Sequence, residues 1–248
     1  MKTANLAQHF LDYFDVVPAN TSALRQVVYQ LRHDVYCKEF KYESIKDNPN
    51  GMETDRYDPY SLHVLVKHKS SGLAAGCTRI IPAGSSDKIK QLPIEKLYAE
   101  KLDICHPAYE AIPRHSICEA SRLCVSSSFR RRHGESATQL GDMESLHCSE
   151  LEHRTFPLIS VSISLATTAL TELSQRPYMF AMMEPFLPRL LHRIGYDFIK
   201  AGAELDYHGK RAGYYVETSS VLKNLQPVYL ELYETIHKEL VTLKRTAA

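Results

Sequence analysis

The 248-residue sequence contains no tryptophan, only ten glycines, and a net charge of +1 from 30 Lys and Arg against 29 Asp and Glu. Near-neutrality removes bulk attraction to nucleic acid, so any basic function must be local. The opening MKTANLAQHFLDYF lacks the long apolar core of a signal peptide. The longest apolar-leaning run, residues 156–170, is too short and too rich in Ser and Thr to span a bilayer. A cytoplasmic protein with no transmembrane segment is the expectation. The six cysteines (Cys37, Cys77, Cys105, Cys118, Cys124 and Cys148) form no CxxC pair and read as reduced, mostly buried thiols. The histidines form neither HExxH nor HxH. His147 and His153, with Cys148 and Glu150 between them, come nearest to a metal cluster. Their spacing does not put them on adjacent turns of one helix face, and no metal is expected. No repeat and no low-complexity tract is present.

What is there suits an enzyme. Hydrophobic residues make up 44% and charged residues 24%, enough apolar chain to bury a core in one large domain or two small ones. The chain centres on Ile117 to Arg132, ICEASRLCVSSSFRRR. Ile117, Leu123 and Val125 mark a strand, yet Glu119, Ser121 and Arg122 lie inside it. A central strand carrying a carboxylate and a guanidinium must pair them or use them, because burying either alone is costly. The strand then breaks into three serines and the basic run Arg130, Arg131, Arg132 and His133, closed by Gly134. Either this turn holds an anionic, phosphate-bearing ligand, or it is a solvated turn after an ordinary core strand.

The periodicity predicts helices over 5–15 and from the Asn20-Thr21-Ser22 cap to about Phe40, the second with Leu24, Val28, Leu31 and Val35 on one stripe. Residues 41–59 read as an ordered loop ending in Glu53, Asp55 and Asp58; without an EF-hand pattern, calcium is not expected. Strands 62–68 and 73–81 form a hairpin, and Arg79 in the second calls for an acid from the 53–58 cluster. A helix from Pro93 to Leu102 precedes the central strand, 115–125. Helices over 135–152 and 157–174, strand 178–184, helix 185–195, strands 196–202 and 212–218, and a core-facing C-terminal helix over 227–244 complete an α/β chain with no linker.

This order of elements is that of an N-acetyltransferase-like (GNAT) fold, a mixed central sheet flanked by helices. The motifs LRHDVYCKEFKY, ETDRYD, GCTRI and EASRLCV resemble those of the acyl-homoserine-lactone (autoinducer) synthases. They are closer still to the long-chain N-acyl amino acid synthases and the exosortase (PEP-CTERM) system-associated acyltransferases. The resemblance covers roughly residues 25–215. It implies one acyltransferase domain over 1–248, with a core of about 22–218 and an added C-terminal helix. It also implies a site made of Arg32, Tyr36, Tyr42, Glu53, Asp55, Asp58 and Arg79 for substrate, with Glu119 and Arg122 as the catalytic pair. Tyr42 stands where the lactone synthases usually carry Trp, which together with the longer chain favours an amino-acid acceptor over S-adenosylmethionine. RRRHGES has one glycine where acetyl-CoA-using relatives have a glycine-rich phosphate loop. That suits an acyl carrier protein, whose acidic surface would meet Arg130, Arg131 and Arg132, over acyl-CoA.

The implied reaction moves a long-chain fatty acyl group from a carrier thioester to an α-amino group, with no bound cofactor. Membrane-surface contact for release of the lipid product is compatible with it. Glu119 is the expected base, its carboxyl pushed up by an apolar strand. In a regular strand Glu119 and Arg122 face opposite ways, so a β-bulge between them is predicted, freeing amides near Leu123 to Val125 as an oxyanion hole. The acyl and phosphopantetheine arm is expected along Cys124, Val125 and Phe129, with the chain against Phe129, Leu165, Phe180 or Met182. Cys124 as an acyl-enzyme nucleophile is disfavoured, since a buried thiol is inert. Two other readings stand beside this one: an autoinducer-type lactone synthase using S-adenosylmethionine, and a non-catalytic acyl-chain or carrier-protein binding module.

Overall fold

The computed structural model describes residues 6–99, 112–130 and 150–246. Helix α1 (Leu6–Tyr13) buries Ala7 and Phe10 and gives way at Phe14 to a short strand, β1 (Phe14–Pro18). The sequence pattern carried the helix through Phe14. Five residues ending in proline are too few to show a period of two, but they pair antiparallel with residues 64–68 and close one edge of the sheet.

Helix α2 (Ser22–Arg32) starts at Thr21, whose Oγ1 accepts from the Leu24 amide at 3.2 Å. The α-helical geometry stops at Arg32, eight residues short of the expected end, and His33–Glu39 continue as π-helical turns. The wider winding breaks the expected stripe: Val35, Tyr36 and Cys37 are buried in succession.

Strands β2 (Leu62–His68), β3 (Ala74–Pro82), β4 (Ile117–Val125), β5 (Tyr178–Met183), β6 (Ile199–Asp206) and β7 (Lys210–Glu217) complete a seven-stranded sheet in the order β1-β2-β3-β4-β5-β7-β6. Every neighbouring pair is antiparallel except β4 and β5. That parallel step needs a crossover, supplied by α4 (Pro157–Leu173), which packs on β2, β3 and β4. Among the described residues the further helices include α3 (Pro93–Ala99), α5 (Phe186–His192), α6 (Thr218–Asn224) and α7 (Pro227–Thr246), with a single helical turn at Glu150–His153. Helix α7 is part of the core. Its Leu232, Tyr233, Ile236 and Leu240 are buried with α1, β1 and α4 on one face of the sheet. Helices α2 and α3 cover the other face.

Tyr98 of α3 shapes the far edge. Its hydroxyl donates to the Ala203 carbonyl and accepts from the Gly213 amide, both at 2.7 Å, standing in for ladder bonds where the β6–β7 register shifts between Lys200 and Glu204. Gly202 leaves room for the ring, since a Cβ there would sit 2.4 Å from Tyr98 Cζ. Hairpin β6–β7 reaches further toward its turn than the sequence suggested, bringing His208 and Arg211 against the Tyr42 ring.

Candidate active site

Strand β4 changes its face midway. Glu119 pairs with Ile81 and Ser121 with Arg79, but the next partner pair is Cys124 with Cys77. Arg122 and Leu123 thus oppose one residue of β3, and Arg122 takes φ +55°. The predicted bulge exists, centred on Arg122 and Leu123 rather than before Arg122. It resets the alternation so that Glu119, Ser121, Arg122 and Cys124 all address the α2–α3 side. The parallel pairing of β4 with β5 ends at Ala120 and Ala181, and beyond it the strands part.

Glu119 stands at that fork. It is 2% exposed, and its Oε2 accepts from the Ile94 amide at the start of α3 at 2.9 Å. Burial pushes its carboxyl up to about 8, against the pull of that amide and of Arg79 and Arg122. Such a group gives and takes a proton near neutral pH.

Beside it lies a closed ion-pair network. Arg32 donates from Nε to Glu53 at 2.5 Å and from Nη1 to Asp58 at 2.6 Å. Arg79 holds Asp55 through two bonds of 2.7 and 2.6 Å, reaches Asp58 at 2.6 Å, and donates from Nε to Ser121 Oγ at 3.0 Å. Arg122 joins Glu53 at 3.0 Å and Glu43 at 2.7 Å. Burial raises the carboxyls of Glu53, Asp55 and Asp58, but the arginines overcome it and hold all three below the usual range. Glu43, at the outer edge, is instead pushed up by burial. The sequence paired Glu119 with Arg122. The structure puts Glu43 on Arg122 and leaves Glu119 out of the network, with a backbone amide rather than an arginine as its hydrogen-bond partner.

A cavity of about 300 Å³ runs between the splayed strands. Its charged side is lined by Tyr36, Asp55, Arg79, Glu119 and Arg122; its deep side by Met179, Met183, Leu191, Tyr196 and Phe198, next to Ser164 and Thr167 of α4. One end can hold a polar head and the other an apolar chain.

Residues 31–139 match the family described as an acetyltransferase (GNAT) domain. Among solved structures, the acyl-homoserine-lactone (AHL) synthase LasI superposes with a TM-score of 0.55 at 17% identity, covering 86% of this chain and 95% of its own. The CoA-dependent acyl-homoserine-lactone synthase BjaI, solved with MTA, gives 0.57 at 18%, covering 90% and 89%. FeeM, an N-acyl amino acid synthase from uncultured soil microbes, gives 0.53 at 12%, covering 87% and 96%. At these identities the likeness establishes the fold. No curated protein matches the chain. The chain has a GNAT fold.

Within this GNAT fold the expected site residues separate. Arg32, Glu53 and Asp58 are buried and bonded to one another, off the cavity wall. Tyr36 lines the cavity, donates to the Leu123 carbonyl at 2.9 Å and lies under the Arg122 guanidinium. Tyr42 stands behind the wall, stacked on His208 at 4.7 Å. Cys124 does not line the cavity; its Sγ is 3.5 Å from Cys77 Sγ, and that bond together with burial raises its thiol well above the ordinary value. Val125, Phe129 and Leu165 belong to the α4-side core and Phe180 to the α3-side core, so of the expected acyl contacts Met182 alone reaches the cavity.

Arg130 departs from the basic-turn expectation. It is 1% exposed, ion-paired with Glu39 and set over the Phe40 ring. A charge run reads as a surface patch only while its partners, here 91 residues away, are unknown. Arg131, Arg132, Cys105, His147, Cys148 and residues 135–149 of the expected 135–152 helix lie outside the described residues, while its end falls on a helical turn at Glu150–His153. The end of the Pro93–Leu102 helix also lies outside them. Among the described residues no helix is long and apolar enough to cross a membrane. Sequence reasoning missed Glu43, Tyr207 and Arg211. The last two carry no local signal, because only the length of the β6–β7 hairpin brings them to the cavity.

Proposed function

We propose that this acyltransferase moves a long-chain fatty acyl group from an acyl-carrier-protein thioester to the α-amino group of an amino acid. The observation that carries this is Glu119: a carboxyl in a cavity that is apolar at depth and charged at the other end, held near 8 by burial. The amine nitrogen attacks the thioester carbonyl carbon and loses a proton to Glu119, directly or through one water. The oxyanion forms beside the bulge, where β4 has left β5 and its backbone is free of that ladder. Collapse breaks the C–S bond, and the proton passes from Glu119 to the departing sulfur. Asp55 and Arg122 stand on the charged side of the cavity. Arg32, Glu53 and Asp58 hold them from behind.

The carrier-protein donor is supported by the missing glycine-rich phosphate loop, no longer by Arg130. Two structural neighbours are CoA-dependent acyl-homoserine-lactone synthases, so acyl-CoA belongs in the same assay. Mass spectrometry of lipid extracts from a host expressing the chain should show N-acyl amino acids that are absent with Glu119→Gln. Purified protein given acyl-carrier protein or acyl-CoA should release thiol only when an amino acid is present. Release of methylthioadenosine from S-adenosylmethionine would instead identify the lactone-type reaction.

A further inference from the structure

The three arginines of the ion-pair network face four carboxylates, each arginine paired with two of them, so the network carries no excess positive charge for a negatively charged acceptor group. A different cation lines the cavity. Arg211, near the start of β7, has a side chain 13% exposed, and among the described residues its buried Nε–H has no hydrogen-bond partner. The ion pair recorded for it is with Glu184, also on the cavity wall, at 3.7 Å, beyond hydrogen-bond reach. Its guanidinium lies 5.3 Å from the centre of the Tyr42 ring, which in turn stacks on His208. The plane of the fork is thus fixed by an aromatic platform while its donors stay available. A guanidinium with donors to spare in a largely buried wall is built to receive a planar anion through two parallel bonds.

We infer that Arg211 is the receptor for the α-carboxylate of the acceptor amino acid. This deepens the proposed function and rests on it. An amino acid presents a carboxylate and an amine on one carbon. With the carboxylate on Arg211, the amine is left to Glu119 and the Asp55 edge of the same cavity, and the side chain is free to vary. Tyr42, which does not touch the cavity, thereby acquires a positioning role as the surface on which Arg211 lies.

The test compares each amino acid that the wild-type protein acylates with its decarboxylated amine, in wild type, Arg211→Gln and Arg211→Lys, with thermal melting to confirm folding. The measured quantity is the ratio of kcat/KM for acid over amine; the differing basicity of the two amines cancels between proteins. Arg211→Gln should lower that ratio tenfold or more, chiefly through KM for the acid, and Arg211→Lys should restore part of it. A ratio unchanged in folded Arg211→Gln overturns the assignment and leaves the acyltransfer reading intact. A wild-type protein that acylates amines as readily as acids also overturns the assignment. One that acylates neither removes the acyltransfer reading and the assignment together.

Discussion

Glu119 shows how one residue can set function and stability against each other. An exposed glutamic acid ionises near 4.5, whereas Glu119 is raised to about 8 by burial. Between those values the unfolded chain releases a proton that the folded chain keeps, so this residue lowers stability as pH rises. Glu119→Gln keeps the shape and an acceptor for the Ile94 amide, and it removes the cost. The variant should be more stable than wild type at pH 8, by an amount on the order of a few kcal/mol, with the gain vanishing near pH 4. It should also lose about 10²- to 10⁴-fold in kcat. At pH 7 roughly a tenth of molecules carry the carboxylate. The acceptor's α-amino group ionises in the same range, so wild-type kcat/KM should climb with the second power of hydroxide below pH 7 and the variant's with the first. Equal slopes in the two proteins would mean that Glu119 takes no proton.

At the scale of elements, the sequence was most informative where a signal is local and least where it depends on winding or reach. The β2–β3 hairpin, β4, α4 and α7 were legible from their local apolar residues, even where Arg79, Glu119 and Arg122 interrupt the strands. So was the need for a bulge, because Glu119 and Arg122 could not otherwise face one site. The π-helical turns after Arg32 and the five-residue β1 were not legible, since neither leaves a periodic trace. Arg130 was misread for the opposite reason: its three-arginine run is a strong local pattern, but its partner Glu39 is fixed only by tertiary contact. Glu43 and Arg211 belong to a long loop and a hairpin arm, whose placement follows from elements packed far away in sequence.

The clamp made by Tyr98 is one such placement, and it can be tested. Tyr98 ties α3 to the β6–β7 edge, and α3 supplies the Ile94 amide that holds Glu119. Tyr98→Phe leaves the Gly213 amide and the Ala203 carbonyl without this partner, which should cost about 1–3 kcal/mol in denaturant unfolding. Loosening α3 weakens a hydrogen bond that favours the Glu119 carboxylate, so the midpoint of the pH–rate profile should move upward. A loss of stability with an unmoved midpoint would show that the clamp and the base are independent.

Across the whole molecule the ion-pair network joins what the chain keeps apart. Arg32 comes from α2, Arg79 from β3, Arg122 from β4, and their carboxylates from the loop between α2 and β2. Asp58 is the hub: it accepts from Arg32, Arg79 and the Asp55 amide, with a side chain 3% exposed. Burial pushes its carboxyl up, but the two arginines outweigh that and hold it well below the ordinary 3.8. A depressed folded value means that the stabilisation is complete above the unfolded value and is lost as pH falls through the folded one. Asp58→Asn leaves two buried guanidinium groups each short of a charged partner. At pH 7 it should cost about 3–5 kcal/mol, a large share of the roughly 5–15 that holds a domain together. Because the pairs are buried, 1 M salt should not erase the difference. Lowering the pH below about 4 should shrink it, as Asp58 of the unfolded wild-type chain takes up a proton that the folded protein does not yet bind. Urea unfolding of both proteins at pH 7 and pH 3, with and without salt, measures all of this. A variant within 1 kcal/mol of wild type at pH 7 would mean that the loop is held by its apolar contacts, with the arginines serving substrate alone.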